Sequence, residues 1–230
     1  MNPSLIEQYW SHLAAPDEHG RARASHKNIQ GLKTAHQFRQ HCALEWSRFW
    51  NYFIAQEAQY WIWSDLHLGH QNIISYCNRP FSNSHEMNEH LVSHAILKVK
   101  PDDYVLFLGD ISFLSPPETK AWLNAMPGRK FLIAGNHDLK KGQWLAEYES
   151  IFEGISAFEM VTLQQHRIAF SHYPLDLERF KDVDINVHGH THNEPSKSPK
   201  HVNVCVEHLN YEPQALRPLL LNQLGALYPN

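Results

Sequence analysis

Short apolar runs alternate with polar motifs along the chain from residue 60 onward. Runs of this length, bounded by Gly, Pro and Asp, predict buried strands rather than helices. Because the carboxyl ends of the strands of an α/β sheet open onto one crevice, the polar residues that follow the runs are expected to meet there. The runs lie at Tyr60–Trp63, Tyr104–Leu108, Phe131–Ala134, Ile168–Phe170 and Ile185–Val187.

Helical stretches separate the first runs, whereas strands follow one another closely in the C-terminal part. Helices are predicted near 84–99, 116–126 and 140–150, and Pro116 followed by Glu118 is typical of a helix start. Strand–helix alternation followed by consecutive strands predicts an α/β fold of two packed mixed sheets flanked by helices. The closely spaced strands are expected near 155–163, 167–171, 185–190 and 201–206.

Residues 1–58 lack the strand pattern and are predicted to form an N-terminal helical extension to a domain that spans residues 59–230. From Thr34, which is expected to cap a helix, apolar residues recur at spacings of three and four and describe one face of a helix of roughly six turns. That face must be buried against the following domain or against a second subunit, as in a homodimer. Its residues are Ala35, Phe38, Cys42, Trp46, Phe49 and Phe53.

Composition and charge predict a cytoplasmic protein without a membrane or nucleic-acid role. The formal net charge of −4 gives no electrostatic attraction to nucleic acid or to a membrane surface. No apolar stretch approaches the roughly 18 residues of a membrane span, and Met1–Ser4 does not open a signal peptide. Cys42, Cys77 and Cys205 are few and widely spaced, as in reduced cytoplasmic proteins.

A polar motif rich in Asp, Asn and His follows each predicted strand. Carboxylate, amide and imidazole groups that converge at one edge of a sheet predict a metal site. His188 alternates with His190 and His192, so the last motif by itself leaves open which two imidazoles bind. The motifs are Asp65-Leu66-His67, Gly109-Asp110, Gly135-Asn136-His137-Asp138, Ser171-His172-Tyr173-Pro174 and Gly189-His190-Thr191-His192.

These motifs, in this order, resemble the signature of the calcineurin-like metallophosphoesterases: Asp-x-His, Gly-Asp, Gly-Asn-His-Asp/Glu, a single His, and Gly-His-x-His. The resemblance extends over residues 65–192. It implies a four-layer α/β/β/α sandwich with all metal ligands at one edge, and an enzyme that hydrolyses phosphoesters. Gly69–Ile74 and Cys77–Phe81 also look like a small bacterial and phage-borne branch of that superfamily.

The resemblance further implies two divalent metal ions bridged by Asp110. Two ions about 3.5–4 Å apart supply a nucleophilic oxygen near neutral pH and positive charge against the phosphoryl oxygens. The mixed ligands suit transition metals, with Mn favoured and Fe, Zn, Ni or Co as alternatives, better than Ca or Mg. The family register leaves His188 outside the ligand set. One ion is expected to bind Asp65, His67 and His192, and the other Asn136, His172 and His190.

His137 is expected to serve catalysis rather than metal binding. The family uses the His of this motif to donate a proton to the leaving alkoxide, and imidazole titrates in a suitable range. Asp138 is the second catalytic candidate, and it either orients the His137 ring or contacts the main chain of the loop. Asn136 is expected to contact the substrate as well as a metal. Phe113 stands where many members carry a second Asp, so the partner of His137 is another residue, a water or absent.

Arg79 is the candidate for substrate binding outside the motifs. A planar guanidinium matches phosphate oxygens bidentately, and Arg79 follows the first metal motif closely in the sequence. The alternative is an ion pair between Arg79 and a carboxylate. For His70 and Asn72 in the intervening turn, hydrogen bonds to the local backbone are expected.

These features together predict a dimetal phosphoesterase that cleaves P–O bonds by direct attack of a metal-bridging hydroxide. A diester needs less compensating positive charge than a monoester dianion, so the modest supply of cations favours phosphodiesters of small molecules or nucleotides. Phosphomonoesterase and pyrophosphohydrolase activities are alternatives, because the same ligands serve all three reactions. A non-catalytic metal-binding scaffold is a further alternative, and the presence of His137 beside a full ligand set argues against it.

Overall fold

Helices and strands alternate along most of the chain, of which the computed structural model describes residues 3–16, 20–21, 23–140, 143–144 and 146–229. The helices are α1 Pro3–Ala14, α2 His26–His41, α3 Ala43–Ala55, α4 Gln71–Tyr76, α5 Ser84–Lys98, α6 Pro116–Ala125 and α7 Leu216–Leu227. The strands are β1 Tyr60–Trp63, β2 Tyr104–Phe107, β3 Arg129–Ile133, β4 Leu139–Lys140, β5 Gln143–Trp144, β6 Gly154–Ser156, β7 Phe158–Leu163, β8 His166–Ser171, β9 Ile185–His188, β10 His201–Asn203 and β11 Gln214–Ala215. Short 3-10 helices lie at Ala146–Ser150 and Val206–His208.

Most of the strands form two mixed sheets. In the first sheet the order is β11-β1-β2-β3-β6, and all neighbours are parallel except β11, which is antiparallel to β1. In the second sheet the order is β10-β9-β8-β7, and β7 is antiparallel to β8. The predicted α/β fold of two mixed sheets flanked by helices is therefore confirmed.

The apolar runs form strands because both of their faces are covered. All residues of β2 and of β9 are buried. Parallel strands that are covered on both faces carry nearly continuous apolar runs, which is the pattern found in the sequence. Aromatic residues make up the largest fully buried side chains, among them Trp46, Trp63, Tyr104, Phe107, Phe131, Phe158 and Phe170.

Two of the three helices predicted between the runs are confirmed as α5 and α6. Asn83 caps α5 by accepting from the Glu86 amide at 2.9 Å, and Ser115 with Glu118 forms a capping box at the start of α6. Within the described ranges, no helix combines the length and the apolar character needed to cross a membrane.

The helix predicted at 140–150 is wrong. The described residues instead form the antiparallel strand pair β4–β5 and the 3-10 helix Ala146–Ser150. Residues 141, 142 and 145 of the predicted helix lie outside the described residues. The Tyr148 hydroxyl donates to the buried Asp138 carboxylate at 3.4 Å, and such a tertiary contact is invisible to a local helix pattern.

The single strand predicted at 155–163 is divided between the two sheets. β6 pairs with β3 of the first sheet, whereas β7 pairs with β8 of the second. At the step between them, the Ser156 hydroxyl donates to the Phe158 carbonyl oxygen at 2.9 Å. Because both strands are mainly buried, one apolar pattern runs through the step and conceals it.

The long helix predicted from Thr34 is wrong at its start and in its length. Ser25 caps α2 by accepting from the Asn28 amide at 3.2 Å, while Thr34 lies inside the helix and donates to the Gln30 carbonyl at 3.1 Å. Cys42, with φ of −94° and ψ of 21°, then separates α2 from α3. One non-helical residue leaves the spacing of the apolar positions almost unchanged, so the pattern did not reveal the break.

Helix α3 packs its aromatic face on the first sheet. The Phe49 ring lies 4.9 Å from that of Tyr60 on β1 and 4.6 Å from that of Phe131 on β3, between centroids. Trp46 adds an edge contact to Phe131 at 5.1 Å. Of the two partners considered for this face, the structure thus shows the domain that follows it.

Glu159 on β7 joins the N-terminal helices to the second sheet. Its buried carboxylate accepts from Nε of Arg39 on α2 at 3.0 Å and from Nε1 of Trp50 on α3 at 3.2 Å. Burial raises the pKa of Glu159, and the Arg39 charge offsets only part of that effect. Residues from both helices therefore bind the same buried carboxylate.

Candidate metal centre

Two groups of candidate metal-binding side chains lie at the carboxyl ends of strands, where the motifs also lie in the sequence. Each group offers three ligand atoms within 4.8 Å of one another. Residues far apart in the sequence meet because β1, β2, β8 and β9 end at this edge. One group is Asp65, His67 and His192, and the other is Asp110, His172 and His190.

The Asp110 carboxylate lies between the two groups. Its Oδ2 atom is 3.6 Å from Nε2 of His67 and 3.5 Å from Nε2 of His172. Ligand atoms that share one ion at about 2.0–2.2 Å are roughly 3–3.6 Å apart, so this one oxygen can face both groups. Asn136 joins the second group, since its Oδ1 atom is 3.2 Å from Nε2 of His172.

Buried atoms of the first group lack hydrogen-bond partners among the described residues. These atoms are Oδ1 of Asp65 and Nε2 of His67, which lie 3.8 Å apart. The other Asp65 oxygen, Oδ2, accepts from the Ser64 hydroxyl at 2.5 Å and the His190 amide at 2.9 Å. A carboxylate oxygen and an imidazole nitrogen are costly to bury unpaired. The donor set therefore fits a cation placed among these atoms.

Hydrogen bonds on the far side of two imidazoles orient them toward the carboxylates. Nδ1 of His172 donates to the Leu108 carbonyl at 2.7 Å, which turns Nε2 toward Asp110. Nδ1 of His192 lies 3.1 Å from Glu207, and its Nε2 faces Asp65 at 3.8 Å. Metal-binding histidines are commonly fixed in this way.

Glu207 is a residue of the site that the sequence analysis missed. Its side chain is 4% exposed and contacts both His192 and the Arg79 guanidinium. Glu207 lies in the 3-10 helix after β10, outside every motif. Its one signal in the sequence is its position directly after the mainly apolar segment Val202–Val206. A carboxylate at the end of a strand is also common where it has no function.

Charges around the site keep its carboxylates ionised. Burial by itself would raise the pKa of Asp110, but His172 and His67 outweigh it and hold that pKa below its usual range. Burial also opposes protonation of His172, yet the Asp110 and Asp65 carboxylates raise its pKa to about 10. A pocket that keeps carboxylates ionised and draws positive charge onto an imidazole suits cations.

Five of the ligands adopt the left-handed backbone region, which non-glycine residues rarely enter. Such conformations cost about 1–3 kcal/mol each and cluster at functional sites. Gly109 has φ of +92°, and a Cβ atom there would lie 2.5 Å from the Gly135 amide nitrogen, so the Gly-Asp motif requires its glycine. The ligands with positive φ are Asp65 (58°), His67 (51°), Asp110 (53°), His190 (70°) and His192 (47°).

Asp138 contacts the main chain, which is the second of the two roles considered for it. Its buried carboxylate accepts from the amides of Asp110 at 2.9 Å, Ile111 at 3.0 Å and Gly135 at 2.7 Å. Burial, with the Asp110 charge, raises the pKa of Asp138 to about 6. With these contacts the Asp138 carboxylate joins the loop that carries Asp110 to the loop that carries Asn136.

Arg79 is turned into the protein and forms the ion pair that was its alternative role. Its side chain is fully buried, and Nη2 donates to Glu207 at 2.7 Å and to the Asp65 carbonyl at 2.8 Å. Nη1 donates to the Leu66 carbonyl at 3.0 Å. These contacts occupy both terminal nitrogens of the guanidinium. Local sequence could not show this, because Glu207 is 128 positions away.

His137 lies at the open side of the site. Its side chain is 45% exposed, and its Nε2 atom is 3.9 Å from Oδ2 of Asp110. The His137 amide donates to Oδ1 of Asp110 at 2.9 Å, which fixes the loop. Phe113, in the place of the second Asp of other members, lies with its ring 4.6 Å from the His137 ring. His188 is buried on β9 and belongs to neither ligand group.

Residues 61–207 match the calcineurin-like phosphoesterase superfamily domain. The chain therefore belongs to this superfamily, and the membership supports a hydrolase that acts on phosphoesters with divalent metal ions. The match begins shortly after α3 ends at Ala55, so it covers both sheets up to β10.

Similar proteins occur in archaea, phages and bacteria. An uncharacterised protein of Methanocaldococcus jannaschii is 34% identical over 162 residues, which is 66% of this chain and 84% of that protein. The gene 66 protein of Mycobacterium phage L5 is 29% identical over 163 residues, 58% of this chain and 77% of its own. The crystal structure of a protein of unknown function from Aquifex aeolicus superposes with a TM-score of 0.58 at 25% identity, covering 72% of this chain and 99% of that one.

Proposed function

We propose that this chain is a phosphodiesterase that uses two divalent transition-metal ions, Mn in the first place and Fe, Zn, Ni or Co as alternatives. The observation that carries the proposal is the position of Asp110 Oδ2, within 3.6 Å of an imidazole from each ligand group. Asp110 would be shared between the ions. One ion would also be held by Asp65, His67 and His192, and the other by Asn136, His172 and His190.

When bound, two such ions lower the pKa of water toward neutrality and place positive charge against the phosphoryl oxygens. Residues of the chain supply the proton, contact the phosphoryl group and position the loops. His137 is exposed enough to reach a substrate, and its imidazole donates a proton to the leaving alkoxide. Asn136 is half-buried beside His172 and contacts the phosphoryl group as well as completing its ligand group. Asp138 keeps the loops of Asp110 and Asn136 in register.

The charges of the described residues favour a diester as substrate. A diester carries one negative charge on its phosphate group, whereas a monoester dianion requires further cations. Arg79 does not supply that charge, because its guanidinium is committed to Glu207 and to backbone carbonyls. A small phosphodiester that approaches the exposed face of His137 therefore matches this site best.

The test is a comparison of bis-p-nitrophenyl phosphate with p-nitrophenyl phosphate, each assayed with Mn, Ni, Co, Zn and Mg. We expect faster hydrolysis of the diester with a transition metal. A monoester turned over tenfold faster with the same metal would replace the proposal by a phosphomonoesterase. Faster cleavage of an alkyl pyrophosphate would indicate a pyrophosphohydrolase, and metal binding without any turnover would indicate a scaffold.

A further inference from the structure

Aromatic side chains form an exposed surface beside the proposed catalytic centre. Phe113 is 42% exposed and stacks on His70 with ring centroids 4.0 Å apart and planes inclined by 18°. Tyr76, which is 69% exposed, meets the His70 ring edge-on at 6.3 Å. We call His70, Tyr76 and Phe113 the aromatic rim.

The aromatic rim begins at the reacting centre and extends to solvent. Phe113 lies 4.6 Å from the His137 ring and 5.1 Å from the ring of the ligand His67. Nδ1 of His70 lies 3.1 Å from Nδ1 of His67. A substrate whose leaving oxygen faces His137 would therefore place the rest of its leaving group over the rim.

The backbone holds the rim in place. The Phe113 amide donates to the Leu68 carbonyl at 2.9 Å, and the His70 amide donates to the His67 carbonyl at 3.0 Å. Leu68 also pairs with Ser112 in a parallel bridge, which ties the two loops together. The stacked pair is thus preformed, and neither metal binding nor proton donation requires an exposed phenyl ring at this place.

We propose that the aromatic rim is a specificity subsite that stacks a nucleobase carried by the leaving group, with Phe113 and His70 as its central platform. This inference rests on the proposed phosphodiesterase function. Nucleobases stack on aromatic side chains with little dependence on base identity. The favoured substrate is then a phosphodiester whose leaving oxygen belongs to a nucleoside. The P–O bond to the nucleoside breaks, water supplies the new P–O bond, and the alkoxide takes the proton of His137.

Two pairs of substrates measure how much an aromatic ring in the leaving group contributes to kcat/KM. Adenosine 5′-methyl phosphate and the methyl riboside 5-(methyl phosphate) share the phosphodiester and the 5′ leaving oxygen and differ in the base alone. We expect kcat/KM to be about tenfold higher or more for the adenosine ester, as one base stacked on an aromatic side chain provides. Benzyl methyl phosphate and cyclohexylmethyl methyl phosphate repeat the comparison with a small ring. A preference confined to the benzyl pair would overturn the nucleoside class.

Variants of the platform test which residues cause the preference. In Phe113→Leu the ratio of kcat/KM for the adenosine ester over the riboside ester should fall toward one, while Phe113→Trp should keep it. Tyr76→Leu should lower the ratio less, because Tyr76 meets the platform by its edge. Tyr228→Leu is the matched control, since Tyr228 is 36% exposed and stacks on His166 at the end of α7. An equal loss for both esters in Phe113→Leu would overturn the subsite and indicate that Phe113 positions His137.

Binding without turnover separates failure of the subsite from failure of the proposed function. In saturation-transfer difference NMR with chelator present, the adenine protons of adenosine 5′-methyl phosphate should receive the strongest transfer, and Phe113→Leu should lose it. Equal hydrolysis of both esters by the wild type, without transfer to adenine, would overturn the subsite and leave the phosphodiesterase intact. Transfer to adenine without hydrolysis of any ester under any metal would keep the subsite and overturn the phosphodiesterase.

Discussion

At the scale of single residues, Asp110 is the side chain that lies between the two candidate ligand groups. Its Oδ2 atom faces His67 and His172, whereas Asp65 faces one group alone. Wild-type protein purified without chelator should contain close to two transition-metal ions per chain. We expect Asp110→Asn to lose more metal than Asp65→Asn, because one change removes a ligand from both sites. Elemental analysis measures this, and an active wild type with one ion or none would contradict the dinuclear assignment.

His137 is the proposed donor of the proton to the leaving group. His137→Ala should retain both ions and lose turnover by about 10²–10⁴-fold, as expected for a general acid. The loss should be smaller for p-nitrophenyl esters than for alkyl esters, because p-nitrophenolate leaves without protonation. Steady-state rates across a series of leaving groups measure the dependence. A uniform loss across the series would assign His137 a positioning role.

Glu207 contacts the His192 imidazole and the Arg79 guanidinium at the same time. Glu207→Gln keeps the size and an acceptor for Arg79 but removes the negative charge behind the imidazole. We expect the affinity for metal to fall by about 10–100-fold, the usual effect of losing such a partner. Calorimetric metal titration measures it. Glu153→Gln, which changes a carboxylate paired with Arg129, is the control and should leave the affinity unchanged.

At the scale of elements, α3 contributes to stability through the rings that it places on the first sheet. Phe49 is fully buried against Tyr60 and Phe131, so Phe49→Ala should lower the free energy of unfolding by about 3–5 kcal/mol. Tyr52 on the same helix is 37% exposed, and Tyr52→Ala should cost less than about 1 kcal/mol. Urea denaturation measures both. Equal costs would show that α3 does not dock through its aromatic face.

The boundaries of an element can be predicted from the sequence where its capping contacts are local. They cannot be predicted where they depend on contacts between distant residues. The Ser115–Glu118 capping box lies within one turn of the chain, so the start of α6 could be predicted. The strand pair and 3-10 helix that replace the helix expected at 140–150 include Tyr148, which contacts Asp138. The break at Cys42 occurs between helices that bind Glu159 through Arg39 and Trp50, more than a hundred residues away.

At the scale of the whole molecule, rings of α3 cover apolar surface of both sheets. Deleting residues 1–58 should expose that surface and give insoluble or poorly folded protein. Solubility, circular dichroism and size-exclusion chromatography of the two forms measure this. A truncated enzyme that is soluble, monomeric and fully active would make the extension a separate module. A dimeric full-length chain with a monomeric truncated form would make the extension an interface between subunits.

The sequence by itself determined the strands and the ligand types of the site. Strand positions follow from short apolar runs, because a strand buried on both faces needs apolar residues throughout. The candidate ligand motifs directly follow those runs, so Asp65, Asp110 and His172 could be proposed from order and spacing alone. These features are local, because each of them depends on residues that are consecutive in the sequence.

The tertiary structure alone decided which distant groups the remaining side chains contact. Arg79 and Glu207 pair across 128 positions, and Glu207 also contacts His192. Asp138 accepts from amides of a loop 27 and 28 positions away, and Phe113 reaches His137 across two loops. Each of these roles depends on which distant group lies within about 3–5 Å, because hydrogen bonds and ring contacts act over that range. Only the fold of the two sheets brings those groups together.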